Sequence, residues 1–146
     1  HPTFSCMSKH TLFAYIEGAD LEEIEEELEA KLVDFVKKRA WKLHIPWVVN
    51  QRGSTEGLRD GDLPTWDLGL NLILPDTGRE PEGWFSDVEQ IAQFAGGLHS
   101  YFGRVFIIGL ADAKTGITED LFDVDSDAPD LVLLRQVIGV DPPKIA

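Results

Sequence analysis

Hydrophobic spacing changes several times along this chain, and the order of the changes restricts the architectures it can adopt. In residues 66–74, a Leu or Trp stands at every second position, which is the period of a β-strand. In residues 21–35, apolar residues recur every three or four positions, which is the period of one helix face. The spacing therefore predicts a domain that mixes strands and helices.

The predicted elements follow the order β-α-β-β-α-β-β-α. Strands are predicted at 11–17, 43–52, 66–74, 105–111 and 117–124, and helices at 20–38, 84–102 and 129–138. The first six elements match the split βαββαβ pattern of ferredoxin-like folds. We therefore expect a single α+β domain with a ferredoxin-like βαββαβ core, an appended β-hairpin strand and a C-terminal helix. A different antiparallel order with the helices on one face is the alternative.

Several residues mark expected helix ends and close contacts. Asp20, with Glu23 three positions later, matches a capping box at the start of the first helix. Gly103 suits the left-handed residue that follows the second helix. Within that helix, the pair Gly96 and Gly97 lowers helix stability but would let a neighbouring segment approach closely.

The N-terminal residues are expected to lie outside the domain. Met7 is the chain's one methionine and precedes the first predicted strand, so we interpret it as the native start and residues 1–6 as a vector remnant. Residues 1–9 are thus expected to be this remnant or a disordered N-terminus, and residues 10–146 the single domain. A secretory signal is a basic segment followed by an apolar one, and the sequence does not show this pattern. We therefore expect a cytoplasmic protein.

Charge and cysteine content exclude several classes of function. The chain carries 26 acidic and 13 basic residues, for a net charge of −13, which opposes binding to nucleic-acid phosphates or anionic lipid. No apolar run reaches the roughly 20 residues that span a bilayer. The single cysteine excludes a disulfide framework and a cysteine-based zinc cluster. We therefore expect neither nucleic acid nor membrane as a partner, while a homodimer is compatible with the composition.

One acidic segment copies part of a metal-binding motif. Asp123, Asp125 and Asp127 repeat the start of an EF-hand calcium loop. The sixth position of such a loop is Gly and is here Ala128, and the twelfth is a bidentate Glu and is here Leu134. We therefore interpret the segment as a solvated acidic turn whose last carboxylate caps the C-terminal helix. No other motif indicates a metal or cofactor, so none is expected.

Catalysis and ligand sensing are the alternative functions. The four histidines show no metal-ligand spacing, and no G-x-S-x-G or P-loop motif is present. A hydrolase of unrecognised type would need His44 or His99 beside a carboxylate, with the loop at 53–63 near the substrate. A regulatory, ligand-sensing module would show an open hydrophobic sheet face.

The acidic residues favour the function that we expect, the binding of a basic protein. Residues 112–130 hold seven acids and one base, Lys114. The loop before the third strand also mixes charged residues with Trp66, and Trp is a frequent anchor of protein interfaces. Opposite charge speeds the association of two proteins and excludes wrong partners.

We therefore expect an acidic inhibitor that binds a basic partner stoichiometrically. The profile is that of a bacterial toxin-immunity protein, which would neutralise a nuclease-like toxin or another enzyme that acts on anionic substrates. No catalytic residue is predicted. The predicted partner-binding residues are Asp120, Asp123, Asp125, Asp127, Glu56, Asp60, Asp62 and Trp66.

Overall fold

The computed structural model describes residues 10–18, 20–53, 65–76, 79–112 and 114–138. Within them, strands and helices follow one another in the predicted order. The elements are β1 (His10–Ile16), α1 (Glu25–Lys38), β2 (Trp47–Arg52), β3 (Trp66–Ile73), α2 (Phe85–Phe102), β4 (Phe106–Asp112), β5 (Thr118–Val124) and α3 (Leu131–Ile138). The N-terminal segment 1–9, which the sequence places outside the domain, lies outside the described residues.

The strands form one sheet in the order β2-β3-β1-β4-β5, and every neighbouring pair is antiparallel. β1 is therefore the central strand, and β2 and β5 are the edge strands. The predicted α+β class is confirmed. Because β5 lies beside β4 as a fifth strand, the strand order differs from that of a plain ferredoxin-like sheet of four strands.

The helices pack on one side of the sheet, and the core lies between the two layers. On the sheet, this core is lined by Leu12, Ala14 and Ile16 of β1 and by alternate leucines of β3. The helix residues buried against them include Leu28, Leu32, Phe35, Val88, Ile91 and Leu134. Each buried leucine contributes about 2 kcal/mol through the removal of apolar surface from water. The alternation in β3 and the apolar stripe of α1 thus form as predicted.

The start of α1 differs from the prediction. Ile24 is the residue before the helix, and no side chain caps it. The Glu25 N–H instead bonds to the Leu21 carbonyl at 2.8 Å, so a backbone turn leads into the helix. Asp20 accepts a hydrogen bond from the Arg104 guanidinium at 2.9 Å. The capping-box prediction was therefore wrong, because a cation distant in sequence takes the carboxylate that the local pattern assigned to the helix.

The start of α3 corrects a second prediction. Asp130, not Asp127, caps this helix, since its Oδ1 accepts the N–H groups of Val132 and Leu133, each at 3.1 Å. The acidic turn was thus correctly expected to lead into a capped helix, but the capping carboxylate lies three residues later.

The adjacent glycines of α2, Gly96 and Gly97, have different surroundings. A Cβ on Gly96 would lie 2.9 Å from Pro129 Cδ and 3.0 Å from the Asp127 carbonyl oxygen, so the segment before α3 crosses the helix here. At Gly97 nothing lies within 4 Å. Gly103 ends the helix with φ +71°, and its N–H bonds to the His99 carbonyl, as predicted. The expected close approach therefore exists at one of the two adjacent glycines.

A buried carboxylate joins the start of α2 to the chain before β2. Asp87 is fully buried. Its Oδ2 accepts the Leu43 N–H at 2.7 Å and the Lys42 N–H at 3.0 Å. The carboxylate thus satisfies two backbone donors that no helix or strand would satisfy, and it fixes the connection between α1 and β2 against α2.

Candidate binding face of the sheet

The side of the sheet opposite the helices carries its own aromatic layer. Side chains alternate along a strand, so Thr11, Phe13 and Tyr15 point away from the helix-covered core. Phe13 is 6% exposed, yet it lies outside the cluster that holds Leu12 and the helix residues. We call this side the open face, because no helix in the described part of the chain packs on it.

The strand register places Asp120 and Asp123 of the edge strand β5 on the open face. Phe13 of β1 pairs with Gly109 of β4, and Gly109 pairs with Asp120 of β5. Paired residues of an antiparallel sheet share one face, and strands lie about 4.8 Å apart. The Cα atoms of Phe13 and Asp120 are therefore about 10 Å apart, with a residue that has no side chain between them.

A second row runs beside the first. Tyr15 pairs with Ile107, and Ile107 pairs with Asp123. On its other side, Tyr15 pairs with Gly69 of β3. The Phe13 and Tyr15 rings stack with their centroids 4.9 Å apart. An aromatic pair therefore lies on the central strand, with carboxylates toward the β5 edge.

Two glycines shape this face. A Cβ on Gly109 would lie 2.5 Å from Phe13 Cζ, so the ring occupies the space that a side chain would need. A Cβ on Gly69 would collide with the Ala14 carbonyl of β1. Glycine inside a strand commonly marks a close approach of this kind. Here the space for a side chain is already filled at both positions, by the Phe13 ring at Gly109 and by the β1 backbone at Gly69.

A groove of about 550 Å³ runs along the open face. Its walls include Phe13, Tyr15, Asn71, Asp67 and Asp120. The described residues that line it include two carboxylates and no Lys, Arg or His. The groove is therefore a mixed aromatic and acidic surface, with no basic counter-ion among the described residues that line it.

The Tyr15 hydroxyl reports the electrostatics of the groove. Its oxygen donates a hydrogen bond to Asn71 Oδ1 at 2.6 Å. Burial raises the pKa of Tyr15 above its ordinary value, the bond to Asn71 opposes this rise, and the negative charge of Asp67 adds to it. The hydroxyl therefore stays protonated at neutral pH, and Asp67 lies near enough to place negative potential at the ring.

The structure places four of the predicted site residues together at the β5 edge. Asp120 and Asp123 lie on β5, and Asp125 and Asp127 follow in the turn before α3. All four are exposed, and none forms an ion pair with another described residue. We call these four residues the acidic edge. In the described part of the chain, no group of three or more His, Cys, Asp or Glu is arranged to hold a metal ion.

The other predicted site residues lie elsewhere. Glu56, Asp60 and Asp62 lie outside the described residues. Trp66 is 5% exposed, and its Nε1 donates to Asn50 Oδ1 at 2.7 Å. Trp66 thus packs mainly in the core, where its indole is not available as an exposed anchor.

The exposed tryptophan is a different one. Trp47 of β2 is 42% exposed and pairs with Asn71, so it lies on the open face. Its position directly after Pro46, at the start of an edge strand, was a signal in the sequence for an accessible ring. The glycines in β3 and β4 were a second missed signal, since an isolated glycine in a strand often marks a surface for close approach.

The two histidines considered for catalysis have different surroundings. His99 Nδ1 lies 2.8 Å from the Arg104 carbonyl oxygen, so this ring nitrogen donates to the chain that follows α2. His44 is exposed and lines a second cavity of about 430 Å³ together with Lys42, Asp76 and Arg79. A histidine and a carboxylate of the described chain, His44 and Asp76, thus line the same cavity.

Comparisons with known proteins give no relative. No family model, no curated protein and no solved structure matches the chain. Among the described residues, no helix combines the length and apolar character needed to cross a membrane. Function must therefore be inferred from the surfaces of this molecule alone.

Proposed function

We propose that this protein binds a basic protein through the acidic edge and thereby inhibits it. The observation that supports this most is the unpaired state of the edge: Asp120, Asp123, Asp125 and Asp127 are exposed and have no cationic partner among the described residues. Four negative charges in one short segment would attract a partner of opposite charge.

Three acidic residues elsewhere on the molecule differ in this respect, because each forms an ion pair. The described ion pairs join Lys38 with Asp34, Arg52 with Glu25, and Arg104 with Asp20. These three bases each neutralise one acid of the helical side. Among the described residues, the charge that is left without a local counter-ion includes the acidic edge, which therefore contributes directly to the field that a partner meets.

The partner class follows from charge complementarity. Enzymes that act on nucleic acids or other anionic substrates carry basic clefts, and an acidic segment can occupy such a cleft in place of the substrate. We therefore propose an immunity-type inhibitor of a nuclease-like toxin or of another enzyme with an anionic substrate, acting in the cytoplasm. Charged side chains on an edge strand also oppose pairing with the edge of another sheet, which favours contact through side chains over strand addition.

A finer description of the fold belongs to the same proposal. We propose that β1, α1, β2, β3, α2 and β4 form a ferredoxin-like unit, with β5 and α3 added at one edge. The position of β1 between β3 and β4 supports this arrangement. The addition would then be the segment that carries the acidic edge.

The test begins with a tagged pull-down from host lysate at low and high salt, followed by kinetics with the purified partner. Reversal of Asp123, Asp125 and Asp127 to Lys should slow association about tenfold or more at low salt and should flatten its salt dependence. An unchanged association rate would contradict the proposed edge.

A matched control separates the edge from net charge. Glu22, Glu26 and Glu82 are exposed acids outside the sheet, and their reversal to Lys changes the total charge by the same amount. This control should slow association much less than the edge variant. Equal slowing by both variants would mean that general charge, not the acidic edge, governs binding.

A further inference from the structure

We propose that the groove of the open face binds a small organic cation, a guanidinium or alkylammonium compound. This site goes beyond the acidic edge, because a free cation could fill the groove without any protein partner. Asp120 belongs to both surfaces, whereas Phe13, Tyr15 and Asp67 belong to the groove alone.

The aromatic pair is the first part of the argument. A cation is attracted to the face of an aromatic ring, and four rings of this protein already have a Lys or Arg over them. The closest is Arg52, which lies 3.8 Å from the centre of the Trp66 ring. Phe13 is 6% exposed, so Tyr15 offers the accessible ring face of the pair, and no described Lys or Arg lies over either ring. The open face thus presents a cation-binding platform, the Tyr15 ring, that no described residue of the chain fills.

The charges around this platform are the second part. Asp67 lies on the β3 side of Tyr15, and Asp120 lies on the β5 side of Phe13, so carboxylates flank the rings in two directions. No described lining residue is a base. An anionic ligand would be repelled by both carboxylates, whereas a cation would gain contacts with them and with the rings.

The size and polar groups of the groove are the third part. A volume of about 550 Å³ lies within the range of about 300–1,000 Å³ that is usual for small-molecule sites. The Tyr15 hydroxyl donates to Asn71 and keeps lone pairs that can accept an N–H from the ligand. The groove therefore offers acceptors and ring faces, which are the complement of a guanidinium or ammonium group.

Nuclear magnetic resonance titration of the whole protein tests the site without knowledge of the natural ligand. The probes are benzylammonium and agmatine, and benzyl alcohol is the neutral match of the first. Both cations should produce saturable shifts at the amides of Phe13, Tyr15 and Gly109, and the alcohol should bind at least tenfold more weakly. Absence of saturable shifts, or equal binding of the alcohol, would overturn the proposal.

Variants locate the site. Asp67→Asn and Tyr15→Leu should each weaken benzylammonium binding several-fold, while Glu22→Gln on the helical side should leave it unchanged. Because Asp67 is exposed and Asn has nearly the same shape, the first variant should fold even if the second does not. Unchanged binding by Asp67→Asn would contradict the role of the carboxylates.

The same samples distinguish two other occupants of the groove, a side chain of a protein partner and a second copy of this chain. One result would be a basic partner that is captured through the acidic edge, excludes the probe and binds more weakly to Asp67→Asn. The occupant of the groove would then be a side chain of the partner, and the small-molecule proposal would fail. A homodimer that closes the face, detected by sedimentation, would also overturn it. Probe binding without any basic partner would support the groove and contradict the acidic edge.

Discussion

Removal of the Asp87 carboxylate should destabilise the fold more than its position in the first turn of a helix suggests. The side chain is fully buried, and it accepts the backbone N–H groups of Leu43 at 2.7 Å and Lys42 at 3.0 Å. Hydrogen bonds to a charged group contribute about 1.5–3 kcal/mol each, and a buried donor that loses its acceptor keeps its desolvation cost. Lys42 is exposed, so water can replace part of its bond. We therefore expect Asp87→Ala to lower the free energy of unfolding by about 3 kcal/mol.

Urea unfolding measures this loss. For an m-value of about 2 kcal/mol per molar, the midpoint should fall by about 1.5 M urea with an unchanged slope. Asp87→Asn keeps one acceptor oxygen and should lose less stability than Asp87→Ala. Asp34→Ala is the control, because Asp34 is exposed and its ion pair with Lys38 contributes little. If the free energy of unfolding of Asp87→Ala lies within about 0.5 kcal/mol of the wild-type value, the carboxylate does not hold the segment before β2 against α2.

Three further expectations concern helix ends and helix contacts. Asp130→Ala should lower stability by about 1 kcal/mol in urea unfolding, because it removes the cap of α3. Gly96→Ala should destabilise through contact with the segment before α3, whereas Gly97→Ala should stabilise by up to about 1 kcal/mol, so equal effects would contradict the packing. The hydrogen bond from Arg104 holds the pKa of Asp20 below its ordinary value of 3.8. Its stabilising effect is present above that value and is lost as the pH falls through the lower folded pKa, so the difference between wild type and Asp20→Asn should shrink between pH 7 and pH 2.5.

Periodicity predicted the elements because each element buries one face. The leucines of β3 and the stripe of α1 all contact the same core, so their spacing carried the information directly. The order of the strands depends on pairings between distant segments, such as β1 with β4. Hydrophobic spacing does not encode those pairings, and the element pattern left two sheet orders open.

Helix caps were predicted less well, because polar side chains choose among competing partners. Asp20 fits a capping box locally, but it binds Arg104, which is distant in sequence and close in space. No role was predicted for Asp87, which lies in the first turn of α2 and accepts backbone N–H groups of another segment. In both cases the deciding partner is brought in by the tertiary fold, so the local pattern could not identify it.

The candidate site is still a prediction. The acidic residues of 112–130 stand out in the sequence as a concentration of charge, and four of them are exposed at one sheet edge. The groove was missed, because its lining residues, such as Tyr15, Asp67 and Asp120, lie on three strands that are far apart in sequence.

Hydrogen–deuterium exchange of the protein with and without its purified basic partner tests the central claim most directly, because it locates the interface. Our account predicts slower exchange in β5 and in the acidic turn of residues 125–127, with α1 unchanged on the opposite side of the sheet. Protection confined to the helices, with β5 exchanging as in the free protein, would contradict the assignment of the acidic edge as the binding surface.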